Sequence, residues 1–60
     1  MNTWTGWAVD RPGYSLYVQV DGTEDDAWRI ALGWPTDAEI QRAKDRGARA
    51  FRIEIKEIKD

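Results

Sequence analysis

The densest group of side chains able to do chemistry in this chain is "DGTEDD", which places Asp21, Glu24, Asp25 and Asp26 within six residues. Clustered carboxylate oxygens suit calcium or magnesium. The glycine comes second in the stretch, however, and no glutamate follows at the distance an EF-hand loop needs. The spacing predicts instead a polar loop whose acids keep a sheet edge soluble. A second group is basic: Arg42, Lys44, Arg46, Arg49 and Arg52 follow one another closely. Beside aromatic side chains, such a row could meet phosphates while bases stack. The remaining chemistry is sparse. There is no cysteine and no histidine, and the one serine, Ser15, sits in a strand pattern with no base near it. Ser-His and Cys-His nucleophiles, disulfides and the usual zinc sites are thereby excluded. The single glycine Gly47 follows a helix pattern, whereas a phosphate cradle needs glycines ahead of one. No catalytic residue, cofactor or metal site is expected, and the chain reads as a non-enzyme.

The elements that position these groups follow from periodicity. Residues 4–9, "WTGWAV", read as a strand, and Pro12-Gly13 suit the centre of a type II turn. Residues 14–20 alternate, with Tyr14, Leu16, Val18 and Val20 on one face and Ser15, Tyr17 and Gln19 on the other. Residues 23–34 allow two readings. As a strand over 27–32, Trp28, Ile30 and Leu32 share a face. As a helix, Thr23 is the N-cap, the acids fill the first turn and Gly33 is the stop. The strand is preferred, because Pro35 restricts Trp34 to extended backbone before a new helix begins. That helix starts with a Thr36-x-x-Glu39 capping box and stops at Gly47, with Ile40, Ala43 and Gly47 on its buried stripe and Trp34 or Ala38 beside it. In the last strand, "AFRIEIKEI", Phe51, Ile53 and Ile55 alternate with Arg52, Glu54 and Lys56, and the pattern breaks at Glu57-Ile58.

The expected fold is one α+β domain over residues 1–60. It is a two-layer sandwich with a four-stranded, mostly antiparallel sheet and one helix on one face, in the order β-β-β-α-β. A crossover through the helix would bring the last strand back parallel to the first or third. The alternative order is β-β-α-α-β. A domain of 60 residues has a thin core and needs dense aromatics, a partner, or both. Seven aromatics, four of them Trp, supply the first remedy. Neither a secretory signal nor an apolar run long enough for a membrane span is visible, and cysteine is absent. A cytoplasmic protein without membrane contact is the expectation.

The formal net charge of −2 is unevenly spread. Met1–Trp28 holds five acids and one base, and Arg29–Asp60 holds eight bases and six acids. The acidic whole, with an isoelectric point near 5.0 and no RNP-like motif, argues against nucleic acid as the main partner. Strand parity places Trp7 and Val9 under the helix with Leu16, Val18, Val20, Trp28, Ile30, Leu32, Phe51, Ile53 and Ile55. Trp4, Tyr17, Gln19, Arg29 and Arg52 then fall on the open face of the sheet. Trp, Tyr and Arg are the types enriched where proteins bind one another.

The expected function is a small protein-binding module that occupies a surface of a larger protein. The expected contacts are Trp4, Tyr17, Gln19, Arg29 and Arg52, together with the acids Glu24, Asp25 and Asp26. In size and form the chain is similar to the compact inhibitors of phages and mobile elements, such as anti-CRISPR proteins. The likeness is one of length and missing catalytic chemistry, and rests on no motif. The other readings are a nucleic-acid module using Trp4, Tyr17, Arg29 and Arg52, and a homodimer joined through the open face.

Overall fold

A computed structural model describes residues 2–58. The elements are β1 (Thr3–Asp10), β2 (Tyr17–Val20), α1 (Glu24–Leu32), α2 (Asp37–Asp45) and β3 (Arg49–Lys56). They form an α+β structure with a three-stranded antiparallel sheet, strand order β2-β1-β3, and two helices. The order is β-β-α-α-β, so the four-stranded arrangement with one helix is corrected at residues 27–32.

That stretch is helical because its local signals agree with its tertiary environment. Thr23 accepts a hydrogen bond from the Asp26 amide at 3.2 Å, and Glu24, Asp25 and Asp26 occupy the positive first turn. Helical spacing puts Ala27, Trp28, Ala31 and Leu32 on one buried stripe, whereas the strand reading required Ile30 to be inside; Ile30 is exposed. Gly33 closes the helix at φ 75°. Its amide bonds to Ile30 O, and the next amide, of Trp34, reaches back to Arg29 O at 2.6 Å. Trp34 itself has φ 61°. Trp34 is therefore left-handed, not extended as Pro35 alone would dictate.

The second helix has the caps its sequence predicts, and Ile40 and Ala43 pack inward, while Gly47, Trp34 and Ala38, expected on or beside its buried stripe, are exposed. Thr36 Oγ1 accepts from the Glu39 amide at 3.2 Å, and Glu39 accepts from the Thr36 amide at 3.1 Å. At the other end the Ala48 amide donates to Ala43 O and the Gly47 amide to Lys44 O, with Gly47 at φ 100°. In the β1–β2 connection the Tyr14 amide bonds to Arg11 O at 3.0 Å and Gly13 has φ 85°, as a type II turn requires.

β3 is antiparallel to β1, from Thr3↔Lys56 to Asp10↔Arg49. The parallel alignment expected for the last strand lies elsewhere. β2 and β3 flank β1 and both oppose it, so they run alike, and the helix pair is the crossover between them. Both helices lie on the Val9 side. The core there is Val9, Ala27, Trp28, Ile40 and Ala48, with Trp7, Tyr17, Leu32, Ala31, Ala43 and Ala50 packed around it. One tryptophan is the largest buried side chain of this layer, and alanines around it leave the room it needs. Burying Trp28 and Ile40 contributes roughly 1.5–3 kcal/mol each relative to exposure.

Candidate binding surface

Directly paired residues in a sheet project to the same side. Val9 pairs with Tyr17 and with Ala50, and Trp7 pairs with Gln19 and with Arg52. Tyr17, Gln19, Ala50 and Arg52 therefore stand on the helix side. Gly6 and Ala8 pair with Val20 and Val18 on one flank and with Ile53 and Phe51 on the other, and Trp4 pairs with Ile55. The expected sides of β2 and β3 are thus reversed: Val18, Val20, Phe51, Ile53 and Ile55 face away from the helices, and Leu16 continues their alternation. The correct part concerns β1. Trp7 packs against the core and Trp4 stands on the uncovered side, 42 % exposed.

The uncovered side is a continuous apolar surface. Leu16, Val18 and Val20 are 55 %, 44 % and 50 % exposed, while Phe51, Ile53 and Ile55 are half-buried among their strand neighbours. Its floor is Gly6 and Ala8, both buried. Gly6 is required where it stands, since a Cβ there would collide with the Gln19 carbonyl of β2. One end of the face is closed by Asp10 and Arg49, 4.0 Å apart, and the Arg49 guanidinium lies 4.7 Å from the Phe51 ring centre. Beyond β2, which pairs only with residues 6–9, β1 and β3 continue as a two-stranded ribbon. On the open side the ribbon carries Trp4 and Ile55. On the other it carries Thr3, Thr5, Glu54 and Lys56, all exposed, with Lys56 Nζ 3.2 Å from Glu54 Oε1.

The residues expected to bind a partner do not form one surface. Trp4 belongs to the apolar face. Tyr17 is half-buried on the helix side, its hydroxyl donating to Gln19 Oε1 at 3.4 Å, and Arg52 lies 5.7 Å from the Trp7 ring centre. Arg29 projects from α1 and is held by Asp25 at 2.7 Å and Asp37 at 3.5 Å. The Asp25 hydrogen bond, then its charge, raise the Arg29 pKa above its ordinary value; Asp37 and Asp26 add to this and burial opposes it. Glu24 accepts from Trp28 Nε1 at 3.3 Å, which ties the one large aromatic of the core to the first turn of α1. The acids of "DGTEDD" thus begin a helix and orient its side chains. Among the described residues, no group of three or more metal-ligating side chains converges.

Sequence reasoning missed Leu16, Val18, Val20, Phe51, Ile53 and Ile55 as surface. The alternation that partitions them was visible, but not which half faces the helices. It also missed Trp34, which is 78 % exposed at the corner between the helices while Pro35 beside it is buried. A cleft of about 290 Å³ between the β1–β2 turn and α2 is lined by Arg11, Arg42 and Arg46 with Glu39. Arg11 stacks 3.8 Å from the Tyr14 ring centre and donates to Ala31 O at 3.4 Å, so it braces the turn against α1.

No family model, curated protein or solved structure matches this chain. The reading of its surface rests on its own geometry. Among the described residues no helix is long and apolar enough to cross a membrane.

Proposed function

We propose that this chain is a small, non-enzymatic protein-binding module that works by laying the open face of its sheet against another polypeptide. The observation that carries the proposal is that face. Trp4, Val18, Val20, Phe51, Ile53 and Ile55 gather on a side that nothing in the described chain covers, and Leu16, exposed just ahead of β2, adjoins them in sequence. A contiguous apolar patch of this kind on a soluble domain marks an interaction site. Blocking a surface of a larger protein, as compact phage-type inhibitors do, is one form of this activity, and pairing with a like sheet is another. The nucleic-acid reading has less support. Trp4 stands on the opposite side from Tyr17 and Arg52, and Arg29 is engaged by two aspartates.

The test places a photo-cross-linking amino acid at Val18, on the open face, and separately at Gln41, on the exposed side of α2. Each variant is first shown to keep the circular dichroism of the parent. Irradiation in the cell of origin is expected to give a discrete protein adduct from the first and none from the second. Equal labelling from both, or no adduct from the open face, would overturn the proposal.

A further inference from the structure

We infer that the polypeptide covering the open face is a second copy of this chain, so that two sheets pack face to face between outer helix layers. The inference rests on the binding-surface reading above and names its occupant. Its first support is the balance of apolar side chains. The large residues buried by the chain itself are Val9, Trp28 and Ile40. With Trp7, Tyr17 and Leu32 half-buried around them, the helix side holds about as many large apolar side chains as the open face, and the open face has no second layer over it among the described residues. A small domain without cysteine has a thin core, and oligomerisation is one of the ways such domains gain stability. Such a face needs covering whenever the chain is folded, and a second copy is present wherever the chain is made.

Composition points the same way. Interfaces that form and dissociate are mixed and polar, whereas permanent ones resemble a domain core cut in half. This face is Val, Ile, Leu, Phe and Trp over a floor of Gly6 and Ala8. Among the described pairs from Trp4↔Ile55 to Ala8↔Phe51 the positions on this face carry no charged side chain. Its one charged pair, Asp10 with Arg49, lies at the end of the strands and neutralises itself. Two copies can therefore meet about a twofold axis with no like charges opposed. Trp4, Val18 and Val20 are 42 %, 44 % and 50 % exposed, and two copies packed face to face would bury them against one another.

Sedimentation equilibrium of the full chain from roughly 1 to 100 μM, the range in which association is visible as mass action, tests this. The expected mass is twice the 6.9 kDa of one chain. Val18→Glu, which would bury an unpaired carboxylate at the centre of the contact, is expected to weaken dimerisation by about 100-fold or more. Gln41→Glu on α2 is expected to leave it unchanged. Should Val18→Glu fail to fold, the parent decides: its thermal midpoint should rise with protein concentration. Filtered nuclear Overhauser spectra of a mixed labelled and unlabelled sample should connect Val18, Val20 and Ile53 methyls between chains. A single-chain mass at the highest concentration, with a midpoint independent of concentration, overturns the dimer. So does a dimer whose contacts come from the outer edge of β3. A stable monomer whose Val18 cross-linker captures a different protein removes the dimer and keeps the binding surface. A stable monomer giving no adduct removes both.

Discussion

Gly6→Ala tests the closeness of β1 and β2 at the centre of the open face. In an ordinary strand this change stabilises by roughly 0.5–1 kcal/mol, because alanine has less freedom to lose on folding. Here the sign should reverse. The added Cβ would meet the Gln19 carbonyl, which is strand backbone and cannot rotate aside. β2 must withdraw from β1 between the Gly6↔Val20 pair and the bond from the Asp21 amide to Thr5 O at 2.9 Å. Overpacking costs about 1–3 kcal/mol, and a weakened backbone hydrogen bond adds about 1 kcal/mol. The expected loss is about 2–4 kcal/mol, a large share of the roughly 3–9 kcal/mol available to a chain of this length. At about 4–8 °C per kcal/mol, the melting midpoint should fall by more than about 8 °C. Urea unfolding followed by tryptophan fluorescence, at one fixed protein concentration, gives the number. Gly13→Ala is the control: its φ of 85° strains alanine, but no atom lies within 4 Å of the added carbon. It should cost only about 1–2 kcal/mol, the left-handed penalty alone. A Gly6→Ala variant as stable as the parent, or less perturbed than Gly13→Ala, would refute the steric argument.

Two further outcomes are expected. Trp34→Asn should raise the thermal midpoint by several degrees, since asparagine accepts the left-handed backbone at φ 61° and the lost indole is largely exposed; a lower midpoint in a thermal scan would show that the indole packs to advantage. Thr36→Ala removes the oxygen that accepts the Glu39 amide and the partner of the capping box, and should cost about 1 kcal/mol in urea unfolding, with the loss confined to α2 in amide exchange.

Much of the local structure was legible in the sequence because its causes are local. The Thr36–Glu39 box, the left-handed Gly47 stop and the Pro12-Gly13 turn each satisfy backbone groups within a few residues, and each forms as its residues predict. Residues 24–32 were ambiguous for a physical reason. "AWRIAL" satisfies both the alternation of a strand and the stripe of a helix, and its cap, acidic first turn and terminal glycine support only the second. The restriction that Pro35 places on Trp34 favoured the strand, but Trp34 stands at φ 61°, and the Gly33 and Trp34 amides close α1 on Ile30 O and Arg29 O.

The sequence by itself determined which residues of each strand stand together: Val18 with Val20, Phe51 with Ile53 and Ile55, and Trp4 apart from Trp7. Only the tertiary structure decided which of those sets faces the helices. Alternation divides a strand into two sides without saying which is inside, and the answer comes from cross-strand pairing. Val9 opposite Tyr17 and Ala50 fixes it. The helices bring Trp28 and Ile40, and Trp28 packs among small residues, with Ala50 turned inward and Phe51 outward. The apolar halves of both flanking strands are thereby left on the far side, where Trp4 stands and where a partner is proposed to bind.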